Sequence, residues 1–143
     1  MASYQSADYF VVDTLSGLEH CLRIGETNTQ VSQLLVRHKA KTGLIITAWN
    51  PHSQPLSQEE NQKRNQQLLS DPVITDSTVH TYPSYGADDD QTWREEGFFF
   101  TNIDCLHAQQ LCDRYQQNAG VLVDTENPVQ LIWHPEVILP KGF

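Results

Sequence analysis

Residues 43–49, GLIITAW, are apolar at nearly every position. A strand alternates its side chains between two faces, so a run that is apolar at both parities needs cover on both sides. That requirement places residues 43–49 at the centre of a sheet. Asn50-Pro51 ends the run, because proline disfavours helix at the residue before it. Ser57 with Glu60 three residues later is a capping box, S-x-x-E, that starts a helix reaching about Leu69. Its surface is strongly polar, and Asp71-Pro72 closes it.

The remaining segments follow in order. Residues 78–82, TVHTY, read as a short strand, 86–91 as an acidic turn, and 96–101, EGFFFT, as a second apolar strand. Asp104 caps a helix whose inner face is Leu106, Ala108, Leu111, Cys112 and Tyr115, with Gly120 as its C-terminal stop. Residues 121–124 and 129–133 form a hairpin across Glu126-Asn127-Pro128. From 43 to 124 the order is β-α-β-β-α-β, which is ferredoxin-like, with two helices on one face of an antiparallel sheet.

Ahead of this core, residues 9–14 are a β-rich run, and 18–24, LEHCLRI, alternate as a half-buried strand. Gly25 breaks the alternation. Thr27 or Asn28 then caps a helix that carries Val31, Leu34 and Leu35 on one face and ends near Lys41. The expectation is one α+β domain over 1–143, with a core at 43–124, an N-terminal addition at 1–42 and a C-terminal hairpin and tail at 125–143. A length of 143 residues suits one domain, and 38% hydrophobic residues supply a core.

Charge narrows the partners. Eighteen acidic residues oppose nine basic ones, a net charge of -9. The cations are scattered, and the densest group, Arg37 to Lys41, holds three. Phosphate backbones and anionic membranes need clustered Lys and Arg, so neither nucleic acid nor a membrane is an expected partner. No stretch nears the roughly 20 apolar residues of a membrane span. The first residues lack a secretory pattern, and three cysteines without a C-x-x-C motif suit a reducing compartment. Together these predict a cytoplasmic protein. Cys105 and Cys112, seven apart on one helix, read as core packing. The six histidines show no H-x-H or H-E-x-x-H spacing, and P-loop, G-x-G-x-x-G and G-x-S-x-G motifs are missing. Neither a metal nor a cofactor is expected.

Two constellations carry chemistry. The first runs from Thr47 to Ser53 at the end of the central strand, where open α/β sheets hold ligands. Asn50 and Ser53 offer hydrogen bonds there, and Asn61 and Arg64 share one face of the following helix. The same letters also suit an Asn-Pro turn and a capped surface helix. The second joins Tyr82-Pro83-Ser84-Tyr85-Gly86 to Trp93-Arg94-Glu95-Glu96 on two arms of one hairpin. Glu96 opens an apolar strand, where partial burial fits a carboxyl for proton transfer, and Tyr85 is placed to orient a reacting group. The alternative is an exposed hairpin tip with acid for solubility. Asp88-Asp89-Asp90 lacks EF-hand spacing and reads as a solvated turn. Much of the negative charge gathers there beside Glu95 and Glu96, which favours a cationic ligand or a basic partner.

Several of these residues also carry a resemblance. Thr47-Ala48-Trp49-Asn50-Pro51, Glu60-Asn61-x-x-Arg64, Gly86, Trp93-x-Glu95 or Glu96, Ala108-x-x-Leu111 and Tyr115-x-Gln117-Asn118-Ala119 resemble domain-of-unknown-function family 3293, a group of small bacterial proteins. That likeness brings no activity with it. A weaker likeness is to the phage S-adenosylmethionine lyases, which share an Asn-x-x-Arg helix, a Tyr-Gly turn and a downstream Glu. It implies a small α/β trimer with the ligand between subunits, and chemistry at Tyr85 and Glu96. The TAWNP strand, the acidic turn and the added termini depart from those enzymes.

The resulting expectation is a small-molecule-binding protein for a nucleotide-like or S-adenosylmethionine-like ligand. Its substrate contacts would be Asn50, Ser53, Asn61, Arg64 and Trp93. If it is an enzyme, lyase-type chemistry would fall to Glu96 and Tyr85. A sheet face left uncovered by the helices would favour a homo-oligomer. The competing expectation is a non-catalytic acidic module that docks a basic protein. A binder should gather its polar residues in one concave pocket, and a module should disperse them.

Overall fold

The computed structural model describes residues 7–88 and 93–134. Its elements in chain order are β1 (Asp8–Val12), β2 (Glu19–Leu22), α1 (Thr29–Arg37), β3 (Thr42–Ile46), a 3-10 turn at Pro51–Ser53, α2 (Gln58–Leu69), β4 (Thr81–Ala87), β5 (Arg94–Thr101), α3 (Cys105–Arg114), β6 (Ala119–Asp124) and β7 (Gln130–Trp133). The strands form one curled antiparallel sheet in the order β2-β1-β4-β5-β3-β6-β7. As the apolar run 43–49 demands, β3 is interior, paired with β5 on one side and β6 on the other.

Both faces of β3 are covered, by different layers. Ile45 packs with Val31, Leu34 and Leu35 of α1 and with Phe99 and Val121. Leu44 and Ile46 face the opposite way, among Leu68 of α2, Leu111 and Cys112 of α3, and Phe100. Two glycines allow close approach. A Cβ on Gly43 would lie 2.7 Å from the Phe99 ring and 2.9 Å from Leu35. One on Gly97 would lie 2.5 Å from the Ile46 carbonyl oxygen.

The helix starts follow the expected capping chemistry. Asn28 caps α1 through a bond from the Val31 N–H, Ser57 caps α2 through Glu60, and Asp104 caps α3 through His107. Some limits differ. α1 stops at Arg37 because Lys39 turns left-handed at φ 56°. α3 stops at Arg114, with Gln116 left-handed at φ 56°, and Gly120 lies inside β6 instead of ending the helix. Leu106, expected inside, is 62% exposed, and Cys105 is exposed while Cys112 is buried.

The largest difference is the β4–β5 hairpin. It extends well past residues 78–82 and 96–101, pairing Tyr85 with Glu96, Gly86 with Glu95 and Ala87 with Arg94. Asp88 closes it through mutual bonds with Trp93. Asp89 and Asp90 lie outside the described residues, as does the tail from 135 to 143. No helix among the described residues is long and apolar enough to cross a membrane.

Candidate functional site

Beyond Ile46 the chain leaves the ladder, and residues 47–57 must find other partners for their backbone groups. The inner face of α2 supplies them. Asn65 accepts from the Ala48 N–H at 2.8 Å and donates to the Glu96 carbonyl at 3.0 Å. Arg64 donates to the carbonyls of Ala48 (2.6 Å) and Tyr115 (2.7 Å). Asn61 accepts from the Asn50 N–H and donates to Asn50 Oδ1, each at 2.9 Å. Asn50 Oδ1 also accepts from the Leu56 N–H at 3.0 Å. Ser53 Oγ accepts from Asn118 at 3.2 Å. The polar face of α2 is thus a buried scaffold for a loop, which is why Asn61 and Asn65 are buried.

This loop is bent unusually. Asn50, His52 and Ser53 take φ of 47°, 50° and 63°. Of the three, Asn tolerates that region best, because its short amide bonds locally. The Asn50–Asn61 pair holds the bend in place. Its free arm points across to β5, where Asn50 Nδ2 donates to Glu95 Oε1 at 3.1 Å.

Glu95 borders a cavity on the α1 side of the sheet, beyond the helix itself. Alternation along β5 turns Glu95 and Gly97 to the same face as Phe99, and Trp93 follows the same parity. Tyr9, Ile45, Trp93, Glu95, Gln117 and Leu131 line the space. Its enclosed room is about 40 Å³, and about 440 Å³ when the mouth open to solvent is included. Gly86 makes space for the indole, since a Cβ there would lie 3.1 Å from Trp93 and 3.4 Å from Tyr9. Burial pushes the Glu95 carboxyl above its ordinary value, against hydrogen bonds from Asn50 and the Trp93 side chain that favour the anion. A partly desolvated carboxyl in that setting can pair with a cation through charge-assisted hydrogen bonds.

Tyr85 and Glu96 take the other parity and face the other side. The Tyr85 ring stacks on Phe10 at 4.7 Å and its hydroxyl donates to Glu19 at 2.8 Å. Arg94 lies 3.7 Å above the ring and donates to Glu96 Oε1 at 3.0 Å. Burial, then the Glu19 bond and charge, push the phenol above its ordinary value. The expected pocket of Asn50, Ser53, Asn61, Arg64, Tyr85 and Glu96 is therefore not assembled. Asn50 and Trp93 join Glu95, Asn61 and Arg64 brace the loop from behind, and Tyr85 borders the cavity while its ring, with Glu96, faces the other side of the sheet. Tyr9 lacked any signal in the local pattern, and Gln117 stood only in the run that carries the family resemblance, because both reach the cavity from distant parts of the chain.

A second polar centre is structural. Asp71, 3% exposed, accepts from Arg114 at 2.5 Å and Tyr115 at 2.7 Å, locking the end of α2 to α3. Among the described residues no group of three or more His, Cys, Asp or Glu is placed to hold a metal ion.

Comparison with known proteins gives one match. A family model described as Protein of unknown function (DUF3293) matches residues 46–119, just over half of the chain. No curated protein and no solved structure matches it.

Proposed function

The chain belongs to the DUF3293 family of proteins of unknown function, and on that premise we propose that it binds a small molecule in the cavity between Trp93 and Glu95. The observation that carries this is a half-buried carboxylate facing an apolar, aromatic-lined space. Left alone, such a group costs free energy, because its charge loses water without gaining a full partner. A ligand that completes it recovers that cost. The enclosed room is about 40 Å³, so the site takes a small group and not a drug-sized ligand. The matched stretch contains Thr47, Ser84, Trp93, Glu95 and Gln117, so most of the polar lining belongs to the family's shared region.

The surrounding architecture supports a rigid mount for this site. The strand order β4-β5-β3-β6, with α2 and α3 packed on one face, favours reading the middle of the chain as a ferredoxin-like unit. The N-terminal strands then extend the sheet past β4 and add Tyr9 to the cavity.

The test is an NMR screen of neutral, cationic and anionic fragments. It follows the Trp93 indole N–H and the Gln117 side-chain amide. At least one charge class is expected to shift both signals, and Trp93→Ala is expected to abolish the shift at the Gln117 amide. If no fragment of any class moves either signal, the cavity is not a ligand site.

A further inference from the structure

Hydrogen bonding around the cavity is one-sided. Ser84 Oγ donates to the Phe10 carbonyl at 2.6 Å, and Thr47 Oγ1 to the Glu96 carbonyl at 2.5 Å. Gln117 Nε2 donates to the carbonyls of Trp49 (2.9 Å) and Tyr115 (3.1 Å). The Trp93 side chain bonds Glu95. These donors are all committed to the protein.

What they leave is acceptor capacity. A carboxylate offers about four lone-pair sites, so Glu95 keeps room beyond its bonds from Asn50 and Trp93. Gln117 is 5% exposed, its amide nitrogen is occupied, and its Oε1 has no hydrogen-bond partner among the described residues. Among the described residues no Lys, Arg or His lines the cavity. An anion placed here would meet Glu95 with no described lining cation to offset it.

We propose that the ligand is a small organic cation bearing N–H donors, a primary ammonium or an amidinium on a short apolar stem. This rests on the small-molecule reading above and gives it a chemical class. The charged head pairs with Glu95 through charge-assisted hydrogen bonds and donates a further N–H hydrogen bond to Gln117 Oε1. The stem packs against Ile45 and Leu131. The rings of Trp93 and Tyr9 are also lining residues, and an aromatic face attracts a cation within about 6 Å of its centre.

The experiment compares three probes of one size: n-butylammonium, n-butanol and butyrate. Each is titrated at neutral pH into the full chain while the Trp93 indole signal is followed. Butylammonium is expected to bind about tenfold or more tighter than butanol, as an added charged hydrogen bond implies. In Glu95→Gln that margin is expected to vanish while butanol binding persists. Glu95→Asp keeps the charge and is expected to retain the preference, which separates loss of charge from a folding defect. If butanol or butyrate matches butylammonium, or if Glu95→Gln keeps the margin, the cation assignment is overturned and the cavity stands as a site of another class. If none of the three probes moves Trp93, the ligand-binding reading falls with it.

Discussion

Asn50 donates from Nδ2 to Oε1 of Glu95 across 3.1 Å, tying the left-handed residue after β3 to the carboxylate on β5. The same side chain accepts from Leu56 and Asn61 through Oδ1. The bend of the loop and the environment of the carboxylate are therefore one arrangement. Asn61→Ala strips Asn50 of one N–H acceptor and one Oδ1 donor. The expected loss is about 1–3 kcal/mol, the usual cost of leaving buried polar groups unmatched. Urea unfolding measures it, and wild-type stability in that variant would show that the loop does not depend on α2.

Glu95 gives a pH signature. Its folded value lies above the ordinary one because burial disfavours the anion. The folded state thus holds the proton more tightly than the unfolded state. The contribution is fully present below the ordinary glutamate value and is lost as pH rises through the raised value. Stabilities of wild type and Glu95→Gln should change relative to one another across that window, with the Gln variant gaining on wild type as pH rises. A difference that stays constant with pH would mean that Glu95 titrates alike in both states.

Two glycines near the cavity should behave differently. Alanine at Gly97 meets the Ile46 carbonyl oxygen, part of a ladder with little freedom to yield. That overpacking is expected to cost roughly 1–3 kcal/mol. Alanine at Gly86 meets the far edge of the Trp93 ring, which can move. Gly86→Ala should leave unfolding nearly unchanged but alter tryptophan emission and weaken ligand binding. Equal destabilisation by both would contradict the packing described.

The buried Asp71 predicts the opposite pH trend from Glu95. Burial raises its carboxyl, but hydrogen bonds from Arg114 and Tyr115 outweigh that and hold it below its ordinary value. Its stabilisation is present above the ordinary aspartate value and is lost as pH falls through the depressed one. The advantage of wild type over Asp71→Asn should be clear at neutral pH and shrink in acid. Tyr115, pushed up to about 12 by burial and then by Asp71, should titrate earlier in that variant, as ultraviolet absorbance would report. An unchanged Tyr115 midpoint would remove Asp71 from this role.

Most elements were legible in the sequence because each carries a local signature. The double-sided apolar run placed β3 inside the sheet, and Asn28, Ser57 and Asp104 marked the helix starts. The site was less legible for a reason of parity. Trp93-Arg94-Glu95-Glu96 alternates between faces, but the following Gly97-Phe98-Phe99-Phe100 is apolar at both parities. Nothing local shows whether Glu95 or Glu96 turns inward, and a shift of one residue exchanges the two faces. Register with β3 and β4 decides for Glu95. The polar face of α2 misled for a related reason. Asn61 and Arg64 looked available for a ligand, whereas an irregular loop beneath them requires partners for its own backbone.

The most direct measurement is a carbon-13 titration of the Glu95 side-chain carboxyl, free and saturated with n-butylammonium. The free protein should give a midpoint above the ordinary glutamate value, and a bound cation, favouring the anion, should bring it down. A midpoint that saturating butylammonium leaves in place would show that the cation does not meet Glu95, and would contradict the account at its centre.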